Sequence, residues 1–187
     1  MNKEELTTLL KDTGVLIDGH FQLTSGRHSD RFLQCSQLLQ YPGEAEKVCR
    51  WMAEPFQGAE IETVIGPALG GILLAYEVAR QLGARAVYTE KDNDQMALKR
   101  GFIIKPGERV LVVEDAVTTG GSVEKVLSIL RQVRADIVAL SVIVDRSAAP
   151  PNFGVPMQAL LKLQIDSYRP EDCPLCRANI PLIRPKN

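Results

Sequence analysis

The stretch VLVVEDAVTTGGS, Val110 to Ser122, limits what this chain can fold into more than any other. Its first four residues are all apolar, so both faces of the strand they form must be covered, and helices on either side of a parallel sheet provide that cover. Glu114 and Asp115 follow at the carboxyl end of the predicted strand, the rim where open α/β sheets hold ligands. After Ala116 and Val117 come small and hydroxyl residues, Thr118, Thr119, Gly120, Gly121 and Ser122, and then Val123, Val126, Leu127, Leu130 and Val133 at helical spacing. The turn therefore opens a helix, whose unpaired amides and partial positive charge suit a phosphate. Two acids beside an anion site need other partners: vicinal hydroxyls, which donate to carboxylates, or Mg²⁺, which takes oxygen ligands and keeps its waters. A sugar phosphate satisfies all of these groups together. The alternative is a buried strand ending in a capped turn, with Ser122 or Thr119 as the cap and the acids in solvent.

The rest of the chain supplies a sheet for this strand. From Tyr41 helices and strands alternate, the mark of a parallel sheet: helix over Ala45 to Glu54, strand at Thr63 to Ile65, helix over Gly71 to Leu82, strand at Ala86 to Thr89. Val110 to Glu114, Val123 to Val133 and Ile137 to Val144 continue the series. Ahead of it, Glu4 to Thr13 reads as a helix ending at Gly14. A hairpin follows, with Val15 to Ile17, a turn at Asp18-Gly19, then Phe21 and Leu23, and a further extended piece at Arg31 to Cys35. These strands form a small hood with basic character from Arg27, His28 and Arg31. Glu90 to Glu108 reads as a long loop with a short hairpin ending at Pro106-Gly107, and it carries Lys91, Lys99 and Arg100. After Ala149 the prolines, Pro150 among them, predict a tail that wraps the surface, with a strand at Gln158 to Leu163.

Composition excludes several classes. At 187 residues and 45% hydrophobic, one domain is expected, with a hood of about residues 1–40 plus the C-terminal tail and a core of about 41–149. A net charge of −1 argues against nucleic acid as a partner, no apolar run reaches membrane-spanning length, and the amphipathic start is not a signal peptide, so a cytoplasmic protein is expected. The chain has no G-x-G, and Gly66 to Gly71 has Walker spacing but leads into Ile72 and Leu73, so dinucleotide and P-loop readings fall away. Of Cys35, Cys49, Cys173 and Cys176, only the CPLC run at Cys173 has ligand spacing. It is half a zinc site, and His20 and His28 lie far off in sequence, so it reads as a reduced structural turn, with metal or redox use as the alternative.

VLVVEDAVTTGGS resembles the phosphoribosyl-diphosphate (PRPP) motif of type I phosphoribosyltransferases. FQLTSGRHSDRF resembles the N-terminal substrate loop of the orotate phosphoribosyltransferases within that family. IGPALGGI stands where the family has its diphosphate loop, and VIVDRSAA ends a predicted strand with Arg146, a residue type that grips carboxylates bidentately. The resemblance implies an α/β fold of the type I phosphoribosyltransferase kind: a mainly parallel central sheet flanked by helices, an N-terminal hood and a flexible loop bearing a β-hairpin. It implies transfer of the 5-phosphoribosyl group of PRPP to orotate, with PRPP on Glu114, Asp115, Ala116, Val117, Thr118, Thr119, Gly120, Gly121 and Ser122, and on Ala68, Leu69 and Gly70. Orotate would meet Ser25, Gly26, Arg27, Thr118 and Arg146, and Lys91, Lys99 and Arg100 would be the catalytic cations. Mg²⁺ would arrive with PRPP near Glu114 and Asp115, and the chain would form a homodimer sharing the loop across its interface. Many orotate enzymes carry an aromatic-Lys pair where this chain has Leu69-Gly70 and a His-Gly where it has Arg100-Gly101. A salvage phosphoribosyltransferase for another base, or a PRPP-sensing regulator without catalysis, remains the alternative.

Overall fold

The computed structural model describes residues 2–93, 95–149 and 151–185. Met1, Asp94, Lys186, Asn187 and Pro150 of the proline-rich tail lie outside the described residues. Six strands form a central sheet in the order β5-β4-β3-β6-β7-β8, with β3 Thr63–Pro67, β4 Arg85–Asp92, β5 Gln95–Leu98, β6 Arg109–Val117, β7 Asp136–Asp145 and β8 Met157–Lys162. All neighbours run parallel except β4 and β5.

The period of β6 explains why its sequence is apolar throughout. Leu111 and Val113 point into a cluster with α1 (Lys3–Asp12), α2 (Pro42–Ala53) and α3 (Gly70–Leu82), while Val110 and Val112 point into a second cluster with α4 (Gly121–Gln132). Leu6 and Leu10 of α1 are fully buried in the first cluster together with Leu160 and Leu161 of β8. The central sheet thus takes in a strand beyond the expected core boundary near residue 149, and α1 packs on the core while its Lys11 pairs with Asp18 of the hood.

The hood is a three-stranded sheet in the order β1-β2-β9, with β1 Leu16–Gln22, β2 His28–Leu33 and β9 Ser167–Tyr168. Its turn differs from expectation. Asp18-Gly19 is no turn: β1 runs through it with a bulge between Asp18 and Phe21. The chain instead reverses over Leu23 to Arg27, where Leu23 N donates to Arg27 O at 2.8 Å and Gly26 N to Leu23 O at 2.9 Å. Cys35 opens a 3₁₀ turn, Cys35–Gln40, rather than ending a strand.

Two further boundaries move. β6 continues to Val117 because β7 goes on pairing with it, Glu114 against Val142 and Val117 against Asp145. The hairpin of the Glu90 to Glu108 segment comes earlier than expected: Lys91 pairs with Met96 and Asp92 with Gln95, so β4 projects past Thr89 into a β4–β5 arm. The tail is more ordered than its prolines suggested, with β9 and a short helix α5, Pro174–Arg177, besides β8.

Candidate active site

The carboxyl ends of β3, β4, β6 and β7 converge on one rim. There β6 delivers Glu114 and Asp115, and the chain then passes through exposed Thr118 and Thr119 into α4. The N-cap of α4 is Gly120 at φ 79°, and no side chain caps the helix. Neither Ser122 nor Thr119 takes the capping role, so the first-turn amides of α4 stay available to an anion. Glu114, Ala116, Val117, Thr118 through Val123 and Lys125 line a cleft of about 300 Å³.

A larger hollow of about 900 Å³ lies at the opposite end of the strands, by Glu62, Arg85 and Glu108. Its chief acid is already spent: Glu108 accepts from Thr63 Oγ1, from the Lys105 amide at 2.8 Å and from Arg85. The rim at the carboxyl ends shows the contrary pattern. Thr89 Oγ1, Glu114 Oε2 and Arg146 Nε are buried there with no hydrogen-bond partner among the described residues. An orphaned buried polar group carries a desolvation penalty of ~1–3 kcal/mol, so three at one rim mark a surface built to meet a polar ligand.

Burial and the neighbouring charge of Asp115 push the Glu114 carboxyl up to about 9, and burial also raises Asp115. Burial lowers Arg146. Asp145 beside it turns inward, accepting from the Ser147 amide at 2.9 Å and its hydroxyl at 2.5 Å, which leaves Arg146 as the group at the end of β7 facing the rim. The loop after β3 reaches the same place. Ala68 N donates to Thr89 O at 2.8 Å, the Ala68–Leu69 peptide is cis, and Leu69 is 84% exposed. A Cβ on Gly70 would sit 2.8 Å from Asp115 Oδ2, so the diphosphate-loop candidate and the acids are in contact range.

The hood and the arm hold the remaining candidates. Ser25 and Gly26 form the exposed reversal, but Arg27 folds back onto β9: its Nε donates to Ser167 Oγ at 2.8 Å and Nη2 to the Ser167 carbonyl. Arg27 thus holds the turn in place in this structure rather than presenting its guanidinium to the rim. On the arm, Arg100 pairs with Glu90 at 3.1 Å and Lys99 with Asp92 at 3.1 Å, whereas exposed Lys91 has no side-chain partner among the described residues. Sequence reasoning missed three residues here. Thr89 was read only as a strand end, Lys125 only as a helix position, and Cys35 only as the end of an extended piece and a cysteine without ligand spacing, although its thiol feels the charges of Asp115, Arg146 and Glu114 and is pushed strongly up by burial.

A doubly covered parallel sheet, an uncapped helix start and two acids at its rim define a protein that binds a phosphorylated sugar. In agreement, residues 34–152 match the phosphoribosyl transferase domain. The chain is 50% identical over 185 residues to the orotate phosphoribosyltransferase of Caldanaerobacter subterraneus subsp. tengcongensis, covering 99% of this chain and 97% of that one. It is 48% identical over 177 residues to the orotate phosphoribosyltransferase of Thermotoga maritima, covering 95% of each. Among solved structures, the orotate phosphoribosyltransferase of Aeropyrum pernix superposes with a TM-score of 0.73 at 28% identity, over 84% of this chain and 93% of that one. The chain belongs to the orotate phosphoribosyltransferase family.

Proposed function

We propose that the chain transfers the 5-phosphoribosyl group of PRPP to orotate, giving orotidine 5′-phosphate and diphosphate in pyrimidine nucleotide biosynthesis. The observation that carries this is the set of unpaired polar atoms at one rim, Glu114 Oε2, Thr89 Oγ1 and Arg146 Nε, beside the uncapped start of α4. The amides and hydroxyls of Thr118 through Ser122 hold the 5′-phosphate, Glu114 and Asp115 accept from the ribose hydroxyls, and the amides of Ala68, Leu69 and Gly70 approach the diphosphate. Arg146 pairs with the orotate carboxylate, Thr118 and the Ser25-Gly26 reversal close over the base, and Arg27 fixes that reversal through Ser167.

Such a transfer loosens the anomeric bond through an oxocarbenium-like transition state, so the protein's work is to align the base nitrogen with the sugar carbon and to neutralise the departing charge. Lys91 is the residue of the arm placed to do the second, since Lys99 and Arg100 are held by Asp92 and Glu90. The donor set at the acids, an unpartnered carboxylate oxygen with a second carboxylate beside it, fits Mg²⁺. When bound there, the ion supplies charge neutralisation on the diphosphate.

The exposed apolar residues Leu69, Leu73 and Tyr76 fall on one side of α3 and support a homodimer whose arms reach across to the neighbouring site. Among the described residues no helix is long and apolar enough to cross a membrane, and the four cysteines form no disulfide, as a cytoplasmic setting would have it.

Loss of orotate absorbance with PRPP and Mg²⁺, run in parallel with uracil, hypoxanthine and adenine, tests the reading. Turnover should be confined to orotate, and Asp115→Asn should weaken PRPP binding while the chain stays folded. Turnover of a purine in place of orotate removes the substrate assignment.

A further inference from the structure

The hood contains a second cluster that the reaction does not use. His20 on β1, His28 at the start of β2, and Cys173 and Cys176 around α5 bring one donor atom each to within 4.8 Å of one another. His20 Nε2 lies 3.0 Å from His28 Nδ1, 3.5 Å from Cys173 Sγ and 3.7 Å from Cys176 Sγ, and Cys176 Sγ lies 3.3 Å from His28 Nδ1. A tetrahedral zinc centre, with Zn–N near 2.0–2.1 Å and Zn–S near 2.3 Å, requires nitrogen and sulfur ligands to stand roughly 3.3–3.8 Å apart. The three nitrogen–sulfur separations, 3.3, 3.5 and 3.7 Å, already fall in that range, and the two nitrogens, at 3.0 Å, need only part slightly.

The hydrogen bond behind the cluster points the same way. His20 Nδ1 lies 2.8 Å from the Ile180 carbonyl, which can only accept, so Nδ1 is the donor there and Nε2 is the ring atom turned toward the thiols and His28. A ring nitrogen fixed by a backbone carbonyl, with the other nitrogen free to ligate, is the usual outer support of a metal-bound histidine. His20 is 1% exposed, His28 5% and Cys173 0%, while Cys176 is exposed, so three ligands are built into the interior and the fourth closes the site from the surface. The CPLC run supplies both thiols from one turn, with Cys173 as the N-cap of α5 and Cys176 within it.

We infer that His20, His28, Cys173 and Cys176 form a structural zinc site that fastens the C-terminal tail to the hood. Binding releases the two thiol protons to solvent and involves no redox change. Four protein ligands close a tetrahedral shell and leave no position for a substrate, so the ion holds structure rather than reacting. What it holds is specific. The tail continues along β1, with Gln22 N donating to Ile183 O at 2.9 Å and Ile183 N to His20 O at 2.7 Å, and β9 of the same tail carries the Ser167 that anchors Arg27. The expectation of a plain reduced turn at CPLC rested on the sequence distance to both histidines, and the fold closes that distance.

The test is metal analysis of the tag-free protein purified under reducing conditions, then incubated with excess Zn²⁺ and passed through gel filtration. About one zinc per chain is expected. Replacement by Co²⁺ should give the intense visible bands of a tetrahedral ion and a thiolate-to-cobalt charge-transfer band, both altered in Cys176→Ser. Removal with a chelator should lower the thermal midpoint by more than about 5 °C and restore the alkylation of Cys173 and Cys176 by iodoacetamide. Because the metal content and cobalt spectrum are read on the unaltered chain, a misfolded variant does not rescue the inference. Less than half an equivalent of zinc, or a cobalt spectrum without thiolate charge transfer while four free thiols are titrated, overturns it. So does a Cys173–Cys176 disulfide in protein isolated without reductant that persists when zinc is offered with mild reduction.

Discussion

Gly120→Ala tests whether the phosphate cradle is tied to the core behind it. Gly120 caps α4 at φ 79°, a conformation that costs an L residue roughly 1–2 kcal/mol. The substitution meets a second obstacle, since an added Cβ would lie 2.5 Å from Phe153 Cζ and 2.6 Å from Cε1, far inside the ~3.5–4.0 Å at which carbon atoms rest. Phe153 is 5% exposed in the α4-side cluster, and its carbonyl accepts from Arg131 at 2.6 Å, so the ring has little room to yield. Overpacking of this kind costs ~1–3 kcal/mol, and the two terms together give about 2–5 kcal/mol. A double-mutant cycle separates them: Phe153→Leu removes the outer ring atoms, so the double variant should recover the clash but not the backbone term, a coupling of about 1–3 kcal/mol. Denaturant midpoints of the four proteins measure this, and calorimetric titration with ribose 5-phosphate should show that the single variant binds more weakly than its stability alone explains. Additive midpoints, with no coupling between positions 120 and 153, would refute the argument that the ring backs the cradle.

Two other perturbations address the acids and the arm. A Glu114 carboxyl held near 9 ionises in the unfolded chain at about 4.3, so the ligand-free protein should lose stability as pH rises from about 4.3 through 9, with the loss complete above that. Glu114→Gln should therefore gain on the parent in denaturant midpoint between pH 6 and 9, and parallel curves for the two proteins would remove the buried-acid account. Lys91→Ala should lower kcat by on the order of 10²-fold with a much smaller change in the KM for orotate, as for a contact made in the transition state. Mixing Lys91→Ala with Arg146→Ala subunits should restore activity if arms cross the dimer, and its absence in heterodimers verified by mass would place each arm over its own site.

The central sheet and the rim were legible because they rest on local pattern. Val110 to Val113 are apolar at each position, and Thr118 to Ser122 offer nothing but small donors, so strand, turn and helix follow in order. Asp18-Gly19 misled for a physical reason. Gly19 serves a close approach rather than a turn, since a Cβ there would meet the Phe21 ring at 2.9 Å. The hairpin of the β4–β5 arm was expected but its position was hidden, because Lys91 and Asp92 carry no buried face, and a strand in solvent leaves no alternation to read. Arg27's attachment to Ser167 and the meeting of His20 and His28 with Cys173 and Cys176 depend on contacts between distant parts of the chain, which residue spacing does not encode.

The hood's three strands have a consequence for the order of events at the ribosome. β2 pairs with β9, His28 against Tyr168 and Ser29 against Ser167, so most of the chain separates two strands of one small sheet. Sheet order places β3, β4, β6 and β7 side by side well before β9 has been made, and domains assemble as their residues emerge. A nascent chain can thus complete the phosphate-binding rim while the base-covering sheet still lacks its third strand. Closure of that sheet pays a long loop's entropy only after β9 has emerged. A product that stops short of Ser167 would keep a surface for the sugar phosphate and lose the anchor for Arg27, making it a sink for PRPP rather than a consumer of orotate.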